Sequence, residues 1–221
     1  MKKIIIFGGT FDPPHKGHTE TARYLLNELS PDLMLVFPAG IPPHKRIGSD
    51  SLPADRFKMA KLAFEPLESQ TGVTVVVSDR ELRRPGKSYT FDTVSEVKEI
   101  YPESEIFLYI GSDMTESFDK WYRYEDILKM CRIVTAKRYS GRDEDKLFYE
   151  KCEMINNKGI GITVLDKDVI VSSSTDIRKE MKKIYEMRTF FGYKNENIGE
   201  KCPSLLTESI FRYIISKNMY K

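Results

Sequence analysis

The sequence predicts an α/β protein built on a doubly wound parallel sheet, with a small C-terminal helical extension. Three observations carry that prediction. Short apolar runs recur along the 221 residues, stretches of helical periodicity separate them, and a glycine or proline follows three of the runs directly, at Gly8, Pro38 and Gly111. The first run, Ile4 to Phe7, sets four consecutive β-formers against Gly8, the pattern of a strand buried on both faces. Leu33 to Phe37, Val73 to Val77, Ile106 to Ile110 and Ile133 to Ala136 repeat it, and Gly161 to Leu165 is a weaker sixth run. Helices are predicted over Gly17 to Leu29, Pro53 to Phe64, Phe91 to Ile100 and Tyr124 to Met130. Pro53 suits a first helical position, where a missing N–H has no intrahelical partner to lose. Ser173 to Lys183 reads as a helix with a hydroxyl cap. Ser204 to Asn218 reads as an amphipathic closing helix carrying Leu205, Leu206, Ile210, Phe211, Ile214 and Ile215. The implied organisation is an α/β domain over 1–183 and a C-terminal loop and helix, 184–221, packed on that same domain. Gly192 to Pro203, rich in Gly, Asn, Lys and Glu, is the one candidate linker.

Composition narrows the function classes. A formal net charge of +2 is too small for a nucleic-acid coat or a polybasic membrane surface, so neither partner is expected and any basic function is local. Lys2 and Lys3 precede only four apolar residues before Gly8, far short of a signal-peptide core. No later run approaches the roughly 20 residues that span a bilayer, and a cytoplasmic location is expected. Cys131, Cys152 and Cys202 are odd in number and widely separated, which fits reduced thiols better than a disulfide framework.

The stretch with the most chemistry in it is Gly8-Gly9-Thr10-Phe11-Asp12-Pro13-Pro14-His15-Lys16-Gly17-His18, which lies between the first strand and the first helix. Gly8 and Gly9 let backbone N–H groups approach an anion with no Cβ in the way, and the first amides and positive dipole end of the following helix favour negative charge. His15 and His18, three residues apart, share a face at that helix start, and Gly17 between them leaves room for a ligand. A structural pair or a metal site would show the same spacing. Three His and three scattered Cys supply no further close-spaced ligands, so no protein-held metal is expected. The stretch matches neither a P-loop nor Gly-x-Gly-x-x-Gly, which leaves nucleotide chemistry by another route. Ligands of such sheets sit beyond the carboxyl ends of the strands, where Gly8, Pro38 and Gly111 emerge into one crevice.

Four later segments follow in order: Pro42-Pro43-His44-Lys45, Ser88-Tyr89-Thr90-Phe91-Asp92-Thr93, Gly111-Ser112-Asp113 leading to Trp121-Tyr122, and Ser173-Ser174-Thr175-Asp176-Ile177-Arg178. With the first turn, this ordered set resembles the nucleotidyltransferase superfamily marked by His-x-Gly-His, and within it the bacterial nicotinate-nucleotide adenylyltransferase family. The resemblance covers most of residues 1–180. It implies a Rossmann-like fold and transfer of the AMP moiety of ATP to nicotinate mononucleotide. The products would be deamido-NAD (nicotinate adenine dinucleotide) and pyrophosphate, a step in NAD biosynthesis. Mg2+ is implied as the cofactor, bound mainly through the ATP phosphates. The connection over Ile184 to Pro203 is longer than is usual in the family, Ser112 stands where Ala is frequent, and Arg138-Tyr139-Ser140-Gly141 only loosely matches an Arg-Pro-Gly pattern. A homo-oligomer is compatible with all of this.

Residue roles follow from the resemblance and the chemistry together. A phosphate monoester is already an anion near neutral pH, so the reaction needs no Ser-His-Asp device; it needs two polyanions aligned and the developing charge stabilised. The resemblance implies His18, His15 and Lys45 as the catalytic set. It implies Gly9, Thr10, His18, Gly111, Asp113, Ser174, Thr175 and Arg178 for ATP. For the acceptor it implies Thr10, Phe11, His44, Lys45, Thr90, Trp121 and Tyr122, with Trp121 and Tyr122 against the pyridine ring and the Thr90 amide near its carboxylate. Taken singly, Ser-Ser-Thr reads as a helix cap, Lys45 as part of a solvated loop and Trp121 as core. Asp12 could orient the turn or help hold a magnesium-bound substrate. The rivals are the same ATP half-site serving nicotinamide mononucleotide, phosphopantetheine or an alcohol phosphate, and a nucleotide sensor without turnover. The Ser88 to Thr93 and Trp121 segments argue against the first, and His15, His18, Lys45, Ser174, Thr175 and Arg178 together against the second.

Overall fold

The computed structural model describes residues 1–43, 51–136, 142–165, 173–191 and 202–221. Among these, six strands form one sheet: β1 (Lys3–Gly9), β2 (Leu33–Pro38), β3 (Thr74–Val77), β4 (Glu105–Gly111), β5 (Arg132–Ala136) and β6 (Ile162–Leu165). Their order is β3-β2-β1-β4-β5-β6 and every neighbouring pair is parallel. The chain works outward from β1 to β3, then returns to the other side of β1 with β4. The crevice beyond the carboxyl ends of β1 and β4 is therefore the switch point at which such sheets bind ligands.

Ten helices accompany the strands among the described residues. They are α1 (Lys16–Leu29), α2 (Pro53–Phe64), α3 (Pro66–Thr71), α4 (Arg80–Arg83), α5 (Thr90–Ile100), α6 (Ser112–Glu116), α7 (Tyr124–Met130), α8 (Arg142–Lys158), α9 (Ser174–Phe191) and α10 (Glu208–Ser216). Alternate residues of each strand face opposite sides of the sheet, so the central strands feed two cores, while the edge strand β3 buries only Val75 and Val77. Ile5 and Phe7 of β1 join Met34, Val36 and Phe107 under α1, α2, α9 and α10. Ile4 and Ile6 join Leu35, Ile106 and Leu108 under α5 and α7. Each of these fully buried side chains contributes roughly 1.5–3 kcal/mol of transfer free energy. The central strand, loaded on both faces, is thus the firmest support for the turn that follows it.

The six predicted strands are all present with their ends shifted by at most two residues, and Pro53 opens α2 as expected. The short helices α3, α4 and α6 were not predicted, and three longer assignments change. α8 was not predicted, because Phe148, Cys152 and Ile155 make only a thin apolar stripe in a strongly charged segment. α9 continues past Lys183 to Phe191, since Ile177 and Met181 hand their buried stripe on to Ile184 and Tyr185. That stripe passes through the 183/184 boundary drawn from the sequence. α10 is shorter than Ser204 to Asn218. Thr207 caps its start, its hydroxyl accepting from the Ile210 N–H at 3.5 Å, and the positive φ of Asn218, 53°, lies beyond its end. Most of the linker, residues 192–201, and the Arg138 to Gly141 stretch lie outside the described residues. No helix among the described residues is long and apolar enough to cross a membrane.

Candidate active site

The turn after β1 is a folded unit and not an open loop. Phe11, 1% exposed, turns inward at a positive φ of 52° and stacks on Phe7 at 6.2 Å. A Cβ on Gly9 would lie 2.6 Å from the Phe11 ring, so Gly9 must be glycine to let that ring in, whereas a Cβ on Gly8 would meet nothing within 4 Å. The Phe11 side chain is thus part of the core beneath the turn.

His15 and His18 meet as the shared-face argument requires, with stacked ring centroids 3.7 Å apart. The His15 backbone N–H donates to His18 Nδ1 at 3.2 Å, and the edge of Phe11 packs against the His18 ring at 5.2 Å. With Nδ1 accepting, a neutral His18 carries its proton on Nε2 and offers that nitrogen as a donor.

The start of α9 docks on this turn. Ser174 Oγ donates to the Pro13 carbonyl at 2.9 Å and Arg178 Nη1 to the Asp12 carbonyl at 2.5 Å. Arg178 Nη2 donates to Thr175 Oγ1 at 3.1 Å. Two segments 161 to 166 positions apart are thereby joined, and the hydroxyls and guanidinium expected at the phosphates stand beside the histidine turn. The Ser173 hydroxyl caps the helix, accepting from the Thr175 N–H at 3.1 Å. Asp12 is 6% exposed and its carboxylate is already engaged, by Tyr220 at 2.6 Å and Arg178 at 3.9 Å. Of the two roles open to Asp12, orienting the turn is the one this geometry favours.

Beside the turn lies a cavity of about 370 Å³ walled by Gly8, Gly9, Thr10, Ala39, Thr90, Gly111, Trp121 and Tyr122 among others. Loops from three separate strand ends thus share one crevice. Thr90 is the first residue of α5, where backbone N–H groups lack helical partners. Trp121 rests on Phe118 at 5.1 Å, and its buried Nε1–H has no hydrogen-bond partner among the described residues, a donor that calls for an acceptor on a ligand. Tyr122 is half exposed and packs on Tyr89 at 4.7 Å. Asp113, the second residue of the short α6, is exposed beside Gly111 and is not in the cavity wall, although Gly111 and Met114 on either side of it are. His44 and Lys45 lie outside the described residues.

Three contributors were missed from sequence. Arg56, 1% exposed on α2, donates through Nη1 to the carbonyls of Thr10 (3.2 Å) and Ala39, and through Nη2 to Gly40 (3.2 Å), so one guanidinium ties the β1 turn to the loop after β2. Burial pulls its pKa down against the charge of nearby Asp12. Its signal was visible: Arg56 shares the apolar face of Met59, Ala60 and Ala63, where an unpaired cation has no structural place. Gly40 is the second. Its N–H donates to Ser88 Oγ at 2.9 Å, and a Cβ there would stand 2.3 Å from the Glu81 carbonyl oxygen. Gly40→Ala is expected to destabilise the fold by about 1–3 kcal/mol through this backbone clash, read as a lower urea midpoint at unchanged slope.

The third is Glu81, which lines the cavity at 8% exposure and accepts from Thr93 Oγ1 at 2.7 Å. Arg84 Nη1 donates to the same Thr93 oxygen at 3.2 Å. Burial pushes the Glu81 carboxyl above its ordinary value of 4.5, with Thr93 and Arg84 opposing. A carboxyl whose pKa is higher folded than unfolded binds its proton more tightly in the folded state. Stability is then lost as pH rises from the unfolded value toward the folded one. Glu81→Gln is expected to raise the melting temperature at pH 7, with the gain disappearing below pH 4.5; a gain independent of pH contradicts the burial argument.

Comparison with known proteins agrees with this arrangement. The family model described as cytidylyltransferase-like matches residues 6–180. A probable nicotinate-nucleotide adenylyltransferase of Clostridium tetani is 31% identical over 201 residues, covering 91% of this chain and 98% of that one. The chain belongs to the nicotinate-nucleotide adenylyltransferase family. The Bacillus subtilis member of the family is 41% identical over 138 residues, 62% of this chain and 70% of its own. In fold, a Plasmodium falciparum nicotinic acid mononucleotide adenylyltransferase, solved in complex with NaAD, superposes with a TM-score of 0.69 at 18% identity, covering 100% of this chain and 98% of that one. The cytidylyltransferase-like match ends at residue 180, so the second half of α9 and all of α10 lie outside it although they complete the core under the histidine turn.

Proposed function

We propose that this adenylyltransferase family member joins the adenylyl group of ATP to the phosphate of nicotinate mononucleotide, giving deamido-NAD and pyrophosphate. The observation that carries the proposal is the convergence of two half-sites at one switch point. The His15–His18 turn, joined to the start of α9, is equipped for phosphates, and the adjoining cavity has an aromatic wall, the Trp121 Nε1–H and the start of α5. The relatives' names and the P. falciparum complex with NaAD support the same reading.

The acceptor phosphate oxygen attacks the α-phosphorus of ATP. The new P–O bond forms as the bond to the pyrophosphate oxygen breaks, and the leaving group departs with that electron pair. His18 Nε2–H, with His15 beside it, donates to the transferring phosphoryl oxygens, where charge shifts in the transition state. The amides around Gly9 and Thr10 add donors, and Arg178 with Thr175 holds the outgoing phosphates. Lys45 neutralises phosphate charge as the substrates meet. ATP enters as its magnesium complex. The resemblance implies that the ATP phosphates, with water, supply most of the ligands of the ion.

The acceptor lies in the cavity with its pyridine ring against Trp121 and Tyr122 and its carboxylate at the start of α5. An amide-rich helix start favours an anion over a neutral carboxamide. The test is kcat/KM for nicotinate mononucleotide against nicotinamide mononucleotide and phosphopantetheine, all with Mg-ATP. A preference of tenfold or more for the acid is expected; an equal or reversed preference overturns the acceptor assignment.

A further inference from the structure

Tyr220 is 208 positions from Asp12 along the chain, yet it is 3% exposed and its hydroxyl donates to Asp12 Oδ1 at 2.6 Å. Burial and the neighbouring Asp12 charge push the Tyr220 hydroxyl pKa up, so it remains a donor. A carboxylate buried as deeply as Asp12 must be paired, and its partners here are Tyr220 on one oxygen and Arg178, 3.9 Å away, on the other, with Arg56 adding positive charge nearby. Arg178 at that distance is not a tight partner. Its guanidinium is spread over the Asp12 carbonyl and the Thr175 hydroxyl, which keeps it at the phosphate turn. Removing the tyrosine hydroxyl leaves Oδ1 with its charge and, among the described residues, no donor. Arg178 already stands 3.9 Å from the other oxygen, whereas Arg56 is held by the carbonyls of Thr10, Ala39 and Gly40, and a guanidinium drawn into a bidentate pair with Asp12 has fewer donors for phosphate.

We infer that Tyr220 is a positioning residue for ATP: its hydroxyl satisfies Asp12 and so leaves Arg178 directed at the ATP phosphates. The inference deepens the adenylyl-transfer reading and rests on it for the identity of the ligand at Arg178. Neither Tyr220 nor the segment around it belongs to the motifs that mark the family turn.

Tyr220→Phe keeps the ring and removes only the donor. Mg-ATP is titrated calorimetrically into the parent, Tyr220→Phe, Asp12→Asn and the double variant, and KM for ATP and for nicotinate mononucleotide is measured on the same proteins. Expected are an approximately tenfold weaker Mg-ATP affinity and a matching rise in KM for ATP in Tyr220→Phe, with KM for the acceptor unchanged. On the Asp12→Asn background, where no carboxylate pulls on Arg178, the tyrosine substitution should have no effect on ATP. A Tyr220→Phe protein that binds Mg-ATP like the parent overturns the inference, as does an equal loss with and without the Asp12 charge. If Tyr220→Phe fails to fold, the comparison of Asp12→Asn with the double variant decides in the same way. Because the titration contains no acceptor, a parent that binds Mg-ATP but forms no dinucleotide refutes the reaction and leaves this result readable.

Discussion

Replacing His18 by alanine is expected to lower kcat for pyrophosphate release on the order of a hundredfold or more, the cost of removing one preorganised donor from a developing charge. KM for both substrates should change far less, because the Nε2–H contact strengthens as charge develops in the transition state. The geometry makes the experiment clean. The ring is held by the His15 N–H on Nδ1, by stacking on His15 and by the Phe11 edge, so its loss removes a donor without uprooting a core residue. The structural cost is a lost reciprocal contact at the start of α1, about 0.5–2 kcal/mol. Steady-state kinetics beside a thermal melt separates the two effects, and a fall of less than tenfold in kcat contradicts the assigned role.

Arg56→Lys is expected to act on the fold and the site together. Lysine keeps the charge, but a single ammonium cannot span the carbonyls of Thr10, Ala39 and Gly40 that the guanidinium fork holds. Leaving one or two of these carbonyls short of a donor while burying a more strongly hydrated cation should cost about 3 kcal/mol. For a chain of this length that is a melting point roughly 6–12 °C lower. Because the carbonyls belong to the β1 turn and the loop after β2, which share the cavity wall, kcat/KM should fall at least tenfold at temperatures where the variant is still folded. A variant with a depressed melting point but unchanged kcat/KM would show that Arg56 supports the fold alone.

The sheet was legible because burial on both faces forces near-continuous apolar runs, and six of those runs can hardly be arranged otherwise once helices separate them. The switch-point crevice followed from the topology, and the histidine turn from glycine and helix-start chemistry. What the sequence left unread at the site has one cause, which is that a residue type does not reveal the direction of its side chain. Phe11 sits in the motif and points into the core, and Asp113 sits in the motif and stands outside the cavity. Arg56, Glu81 and Tyr220 sit outside every motif and converge on the site through contacts spanning 12 to 208 positions, which no local pattern encodes. Of these only Arg56 left a trace, as a cation on an apolar helix face. The length of α9 was hidden by Lys182 and Lys183, which look like an ending but lie on its exposed side, while Ile184 and Tyr185 continue the buried stripe.

The most direct measurement is the stoichiometry of products from Mg-ATP and nicotinate mononucleotide, with the dinucleotide identified by mass and pyrophosphate quantified in the same reaction. One pyrophosphate per deamido-NAD, both abolished together in His18→Ala, is the predicted result. ATP bound without turnover, or ATP consumed to AMP or ADP without a dinucleotide, would contradict adenylyl transfer as the function of this site.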